Sequence, residues 1–343
     1  MSDKDDPATD DWRQRFRAAE AELGHIILGQ QRVIRLLLLS VLARGHVLLA
    51  GDVGTGKTTL LRAMARALGG PFARIEGTVD LLPSDLIYDA HLDDQGRPLI
   101  EPGPVLSRGE DLAVFFFNEI NRARPQVHAL LLRLMAEQSL TAFRREHRFP
   151  HLQVFADRNQ IERDETFELP AAARDRFMLE IEVGLPQTRE DRIALAFDTR
   201  FHDTDSLISH VTEGSLPYRG LNGLAREVQD RVHASEALQR YVFDLCDALR
   251  DPGAAGLSIE GADAERLVRG GVSPRGMQSL VRVARAAAWI EGRDMVLPQD
   301  VRAVFQPVMA HRTFLNPAYE PRRELLVPAL ISAAFDAIPV PAQ

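Results

Sequence analysis

The chain has 343 residues, 45% hydrophobic and 26% charged, with a formal net charge of −8 at neutral pH. That is a globular composition with room for two domains. The acidic balance argues against nucleic acid as a partner, because duplex binding is driven by phosphate neutralisation. Cys246 is the only cysteine, which excludes an internal disulfide and a thiolate metal site and suits a reducing compartment.

In chain order, residues 1–10 are acidic and polar around Pro7 and are expected to be disordered. They lack the basic start and apolar centre of a signal peptide. A helix is expected from about Asp11, and Val33 to Leu42 reads as a second, apolar one. The longest apolar stretch, Leu36 to Ala43, is too short to span a bilayer. A soluble, cytoplasmic protein with no membrane partner is therefore expected.

Val47 to Ala50 reads as a short buried strand, Gly51 to Thr58 fits G-x-x-x-x-G-K-[ST], and Leu60 to Leu68 carries a helical apolar rhythm. Strand, phosphate loop and helix in that order make an ATP-binding element. Gly51, Asp52, Val53, Gly54, Thr55, Gly56, Lys57, Thr58 and Thr59 are its candidate residues. The glycines let successive backbone N–H groups face phosphate oxygens, the helix N-terminus adds positive potential, Lys57 reaches the outer phosphates, and Thr58 is a ligand for Mg²⁺.

Residues 72–76 read as a second strand, and 77–110 as a long polar segment, functional rather than slack because it lies inside the domain. Leu112 to Phe117 is apolar on both faces, as an internal parallel strand should be, and ends in Asn118-Glu119. An amphipathic helix follows Pro125, residues 139–150 suggest a hairpin, Leu152 to Ala156 a fourth strand and Phe177 to Val183 a fifth. Alternating strands and helices after a phosphate loop imply an α/β fold, with a parallel five-stranded sheet covered on both faces. Beyond Pro186 the chain reads as helices at 189–200, 221–250, 277–291 and 298–312, with no strong strand. The expected organisation is a disordered tail 1–10, a nucleotide-binding domain 11–185 with an inserted segment 77–104 and a hairpin 139–151, and an all-α lid 186–343. The ten histidines show no metal-ligand spacing.

This order of elements is that of an AAA+ ATPase, and from about Leu28 to Arg312 the chain resembles the MoxR family. The stretches that carry the resemblance are Ile27-Leu28-Gly29-Gln30, His46-Val47-Leu48-Leu49, Asp80-Leu81-Leu82-Pro83-Ser84-Asp85-Leu86 and Gly103-Pro104-Val105. They continue with Asn118-Glu119-Ile120-Asn121-Arg122-Ala123, Asp175-Arg176-Phe177, Ser273-Pro274-Arg275, Glu291-Gly292-Arg293 and His311-Arg312. Glu119, beyond the carboxyl end of its strand, is positioned to polarise the attacking water. The resemblance implies sensor 1 at Asn159, an arginine finger acting on a neighbouring subunit at Arg176, sensor 2 at Arg275, and an adenine pocket bordered by Gly29 and Gln30. It also implies that the basic hairpin Arg144 to Arg148 and the 77–104 segment face the pore or one face of a ring.

Two departures stand out. Asn118 replaces the usual Asp, so it meets Mg²⁺-bound water with a carbonyl oxygen and no charge. Asp157-Arg158-Asn159-Gln160 stands where Thr-Gln-Asn-Pro is usual. With Arg-Pro-Gln-Val-His at 124–128, these features resemble the subgroup associated with methanol dehydrogenase gene clusters. The resemblance implies a hexameric, ATP-hydrolysing chaperone with a von Willebrand factor A domain partner and a client metalloenzyme, methanol dehydrogenase among the candidates. The alternatives are an ATP-switched scaffold with little turnover, motivated by Asn118, and a magnesium chelatase-like ATPase subunit.

Overall fold

The computed structural model describes residues 7–52, 54–159 and 167–341. Most of the tail expected to be disordered lies outside the described residues, and the first helix, α1, spans Pro7–Ile26. The chain divides into two compact units, residues 1–177 with 181–224, and residues 178–180 with 225–343.

In the first unit α1 is followed by α2 (Gln31–Leu42), β1 (Val47–Ala50), α3 (Lys57–Leu68) and β2 (Phe72–Glu76). The 77–110 segment contains a two-stranded hairpin, β3 (Tyr88–Leu92) and β4 (Pro98–Pro102), which the sequence pattern did not announce because its residues are largely exposed on both faces. Then come β5 (Val114–Asn118), α4 (Pro125–Glu137), the hairpin β6 (Ser139–Ala142) and β7 (Arg145–Arg148), β8 (Gln153–Arg158), the single turn α5 (Ala171–Arg174) and β9 (Leu179–Glu182), whose first two residues are counted with the second unit. The main sheet has the order β2-β5-β8-β1-β9. The β2–β5, β5–β8 and β8–β1 pairs are parallel.

The sheet is held by its apolar strands. Phe115, Phe116 and Phe117 of β5 are fully buried, and each such side chain contributes roughly 2 to 3 kcal/mol on removal from water. Phe115 and Phe117 share a core with Val127, Leu131 and Leu134 of α4, the positions that recur at helical spacing. Phe117 pairs with Ala156 in the β5–β8 register, and Leu49 pairs with Asp157 across β1–β8. One residue further along β5, Asn118 is therefore level with Asp157. The strand ends that carry polar residues are brought together at one edge of the sheet, where open α/β sheets bind ligands.

Helices are present in each stretch expected after Pro186, but 221–250 is broken into two at residues 232–235, and a helix at 204–209 was not expected. The helices up to Leu224 group with the sheet. They are α6 (Arg189–Phe197), α7 (Thr204–Ser209) and the beginning of α8 (Leu221–Arg231). The attachment is to α3: Arg62 pairs with Asp205 at 2.6 Å, Arg66 with Glu213 at 3.2 Å, and Gly214 N–H donates to the Arg66 carbonyl at 3.0 Å. The break in texture at Pro186 marks the end of strands, whereas the compact boundary falls inside α8.

The second unit contains α9 (Glu236–Arg250), α10 (Ala264–Leu267), α11 (Pro274–Ile290), α12 (Pro298–Met309) and α13 (Arg323–Ala337). A small antiparallel pair, β10 (Val268–Gly270) and β11 (Phe314–Leu315), accompanies them. Trp289, Phe305 and Leu245 are fully buried, and Phe305 meets Phe335 edge to face at 5.0 Å. Burial in α9 pushes the Cys246 thiol up to about 12, so it is a packing group without thiolate chemistry.

Asp300 secures the start of α12. Its carboxylate accepts the Leu297 N–H at 2.8 Å and takes a bidentate pair from Arg293 at 2.6 and 2.7 Å while nearly buried. Asp300→Ala removes a helix cap and strands a cation, and is expected to cost roughly 2 to 4 kcal/mol. Urea unfolding of the full chain measures it; a change of only a few tenths would show the pair to be ornamental.

Candidate functional site

The phosphate loop joins β1 to α3 and is built for an anion. Gly54 and Gly56 have φ of 80° and 84°, and a Cβ at either would meet no atom within 4 Å. Any other residue would be strained there, and the loop offers an open backbone cradle. Gly56 precedes α3, so the loop runs directly into a helix N-terminus. Thr55 Oγ1 donates to the Asp52 carbonyl at 2.9 Å, tightening the turn. Thr58 and Thr59 occupy the first turn of α3, and Val53 lies outside the described residues.

Lys57 is buried at the base of the loop, where Nζ donates to the carbonyls of Gly51 at 2.6 Å and Asp52 at 2.8 Å. Its Nζ is 3.9 Å from Asp157 Oδ2. Burial holds the Lys57 pKa below its ordinary 10.5, against the opposing pull of Asp157, Asp52 and Glu119. A phosphate group arriving beside it restores that pKa. Nucleotide binding is therefore expected to take up protons in the alkaline window between the depressed pKa and 10.5. Calorimetry in buffers of different ionisation enthalpy reads the sign, and proton release in that window would contradict it.

Glu119 follows β5 in a left-handed backbone conformation, φ 50° and ψ 49°. For a residue with a Cβ this costs on the order of 1 to 2 kcal/mol, and the surroundings enforce it. Its N–H donates to Asp157 Oδ1 at 2.6 Å, and a Cβ on the facing Gly77 would lie 2.2 Å from the Glu119 carbonyl oxygen. Behind the turn, His128 Nε2–H donates to the Ile120 carbonyl at 2.7 Å, and burial pushes the His128 pKa down so that the ring stays neutral. The Glu119 side chain is partly exposed, with Oε2 2.9 Å from Arg122.

Asn118 is buried between two charges. Oriented to satisfy both neighbours, its Nδ2 donates to Asp157 Oδ1 at 3.1 Å and its Oδ1 accepts from Arg74 at 3.3 Å. Asp157 thus links the end of β5 to the phosphate-loop lysine. It is nearly fully buried, and burial raises its pKa against the lowering effects of the Glu119 N–H and Lys57.

Asn159, just past β8, is buried, and its carbonyl accepts from Asn121 Nδ2 at 3.3 Å. Gln30 is buried and donates to the Gly184 carbonyl at 2.5 Å, tying the start of α2 to the segment after β9, while Gly29 backs onto Pro186. Arg176 lies between α5 and β9, half-buried, with one terminal nitrogen donating to the Ala172 carbonyl at 2.8 Å. Arg275 is in the first turn of α11 in the second unit, exposed, beside the Ser273 cap of that helix. In the β6–β7 hairpin, Arg145 pairs with Glu110 at 2.9 Å and Arg148 with Glu146 at 3.2 Å.

Lys57, Glu119 and Asn118 are therefore brought together as the sequence suggested. Asp157, Arg122 and Arg74 complete the cluster and were not anticipated as site residues. A buried acid at the end of a strand beside the phosphate-loop strand was the available signal for Asp157. The donor set fits a nucleotide with Mg²⁺: a backbone cradle, one lysine, a threonine at the helix start, and carboxylates at the strand ends. Among the described residues no cluster of three or more His, Cys, Asp or Glu forms a self-contained metal cage.

The family of ATPases associated with various cellular activities (AAA) matches residues 46–179, and the AAA lid domain matches residues 261–329. "Protein MoxR" of Paracoccus denitrificans is 77% identical over 332 residues, covering 97% of this chain and 98% of that protein. "Chaperone MoxR1" of Mycobacterium tuberculosis is 34% identical over 298 residues, 86% of this chain and 74% of that one. A solved structure of an inferred ATPase from Cytophaga hutchinsonii superposes with a TM-score of 0.82 at 28% identity, covering 97% of each chain. With the phosphate loop, the acidic strand end and the lid all accounted for, the chain belongs to the MoxR family of AAA+ ATPases.

Proposed function

We propose that the chain is an ATP-hydrolysing, ring-forming chaperone of the cytoplasm that matures a metalloenzyme or inserts its metal cofactor, with methanol dehydrogenase as the leading client. The observation that carries the ATPase part is the convergence of Lys57, Glu119 and Asp157 at the carboxyl ends of β1, β5 and β8. Lys57 and the loop amides hold phosphate oxygens, and Glu119 orients and polarises the attacking water. Mg²⁺, when bound with the nucleotide, neutralises phosphate charge; Thr58 and the strand-end polar groups are the residues to hold it. Arg176 completes the site of a neighbouring subunit, Arg275 and Asn159 report the γ-phosphate, and Gly29 and Gln30 border the base. A hexamer, a von Willebrand factor A domain partner and the client are proposed on family grounds; the chaperone role alone is supported by the name of the mycobacterial relative.

A second reading is an ATP-switched assembly scaffold. It is favoured by the Arg122 contact on Glu119, which engages the carboxylate needed for water activation, and by the neutral Asn118.

Mg²⁺-dependent phosphate release measured across a protein concentration series separates the two. Turnover per subunit is expected to rise with concentration and to fall in Arg176→Ala, because the arginine serves the adjacent site. Tight ATP binding with no turnover at any concentration would reject the motor for the isolated protein and favour the scaffold.

A further inference from the structure

Asn118 is poorly placed to serve Mg²⁺. With its amide oriented to satisfy both neighbours, its oxygen accepts from Arg74 and its nitrogen donates to Asp157, so both ends of the side chain are engaged within the protein. Glu119, the other acid at this strand end, is turned to Arg122. Asp157 differs from both. One oxygen, Oδ1, is fixed by the Glu119 N–H at 2.6 Å and the Asn118 amide at 3.1 Å, while Oδ2 faces Lys57 Nζ at 3.9 Å, beyond hydrogen-bond reach. A nearly buried carboxylate fixed at one oxygen and turned at the other toward the phosphate-loop lysine is a preorganised charge.

We propose that Asp157, on β8, supplies the carboxylate that nucleotide-bound Mg²⁺ requires, and that Asn118 is a positioning residue that aims it. This rests on the nucleotide-binding reading above. The register explains how the exchange works. Asn118 and Asp157 are level on adjacent parallel strands, so moving the acid from one strand to the next shifts the charge by one inter-strand spacing, about 5 Å. The amide left behind binds the acid instead of repelling it. Two adjacent carboxylates there would repel, and one would hold a proton.

The test is ADP binding to the full chain by titration calorimetry, with and without Mg²⁺, in wild type, Asp157→Asn and the exchanged variant Asn118→Asp/Asp157→Asn, all checked by thermal melting. In wild type Mg²⁺ is expected to tighten ADP by about tenfold or more, in Asp157→Asn that tightening is lost although ADP still binds without the metal, and in the exchanged variant it returns. Should Asp157→Asn fail to fold, the exchanged variant and Asn118→Ala decide: Mg²⁺ tightening kept in the exchanged variant and reduced but not abolished in Asn118→Ala supports the assignment, whereas unchanged or wholly abolished tightening in Asn118→Ala overturns it. Full tightening in folded Asp157→Asn also overturns it and leaves Asp157 as a partner of Lys57 alone. Wild type that binds ADP equally with and without Mg²⁺ overturns this assignment but keeps the nucleotide site. Wild type that binds no ADP under either condition overturns both.

Discussion

Lys57→Ala is expected to weaken ATP and ADP binding by at least about a hundredfold, the equivalent of roughly 3 kcal/mol or more, with hydrolysis lost in parallel. The size follows from where the ammonium sits. It is buried at the base of the loop, oriented by the Gly51 and Asp52 carbonyls, so its charge acts on phosphate oxygens with little competing water. Among the described residues of the cluster, the cations Arg74 and Arg122 are turned to Asn118 and Glu119 instead. Stability is expected to change far less than affinity. Burial already disfavours the charged form of Lys57, so removing the ammonium also removes that desolvation cost. Equilibrium binding of a fluorescent ATP analogue, with a melting curve of the same sample, measures both. Undiminished binding in a folded Lys57→Ala protein would mean that the loop does not hold the phosphates.

Glu119→Gln is expected to separate binding from chemistry. The substitution keeps the side-chain shape and leaves the backbone N–H bond to Asp157 in place, so the left-handed turn and the phosphate loop should be undisturbed. What is lost is the carboxylate that polarises water, a contribution of about 10² to 10⁴ in rate. ATP affinity should stay within a few-fold of wild type, and the variant should accumulate in its ATP-bound, assembled form. Single-turnover phosphate release beside a binding titration distinguishes the two quantities. If Glu119→Gln loses affinity as much as rate, Glu119 is part of the binding framework. If it loses neither, water activation lies elsewhere in the cluster. Arg122→Ala is the natural companion, because it frees Oε2 of the carboxylate without removing it.

Features that depend on neighbours in sequence were legible in advance. The β1, loop and α3 sequence announces itself because an apolar run, glycines at the turn and a helical rhythm are local consequences of local residues. The same holds for β5, whose buried phenylalanines need no knowledge of the rest of the chain to be read as an internal strand. The β3–β4 hairpin was missed for the complementary reason, since an exposed two-stranded ribbon leaves no apolar alternation to read. The helix at 189–200 and the start of the one at 221 were readable, the short helix at 204–209 was not, and nothing local says that Asp205 and Glu213 reach Arg62 and Arg66 of α3.

The sequence by itself determined an α/β chain with a phosphate-loop motif and a helical second part, and it put Lys57, Thr58 and Glu119 at strand or helix ends. Only the tertiary structure decided what surrounds them. The Glu119 and Asp157 partners are 38 positions apart. They meet because β5 and β8 pair in parallel in one register, which is fixed by packing both faces of the sheet and leaves no mark in the residues between the strands. Read alone, Asn118 is a lost charge. In the folded chain it is an amide bonded to a carboxylate on the next strand.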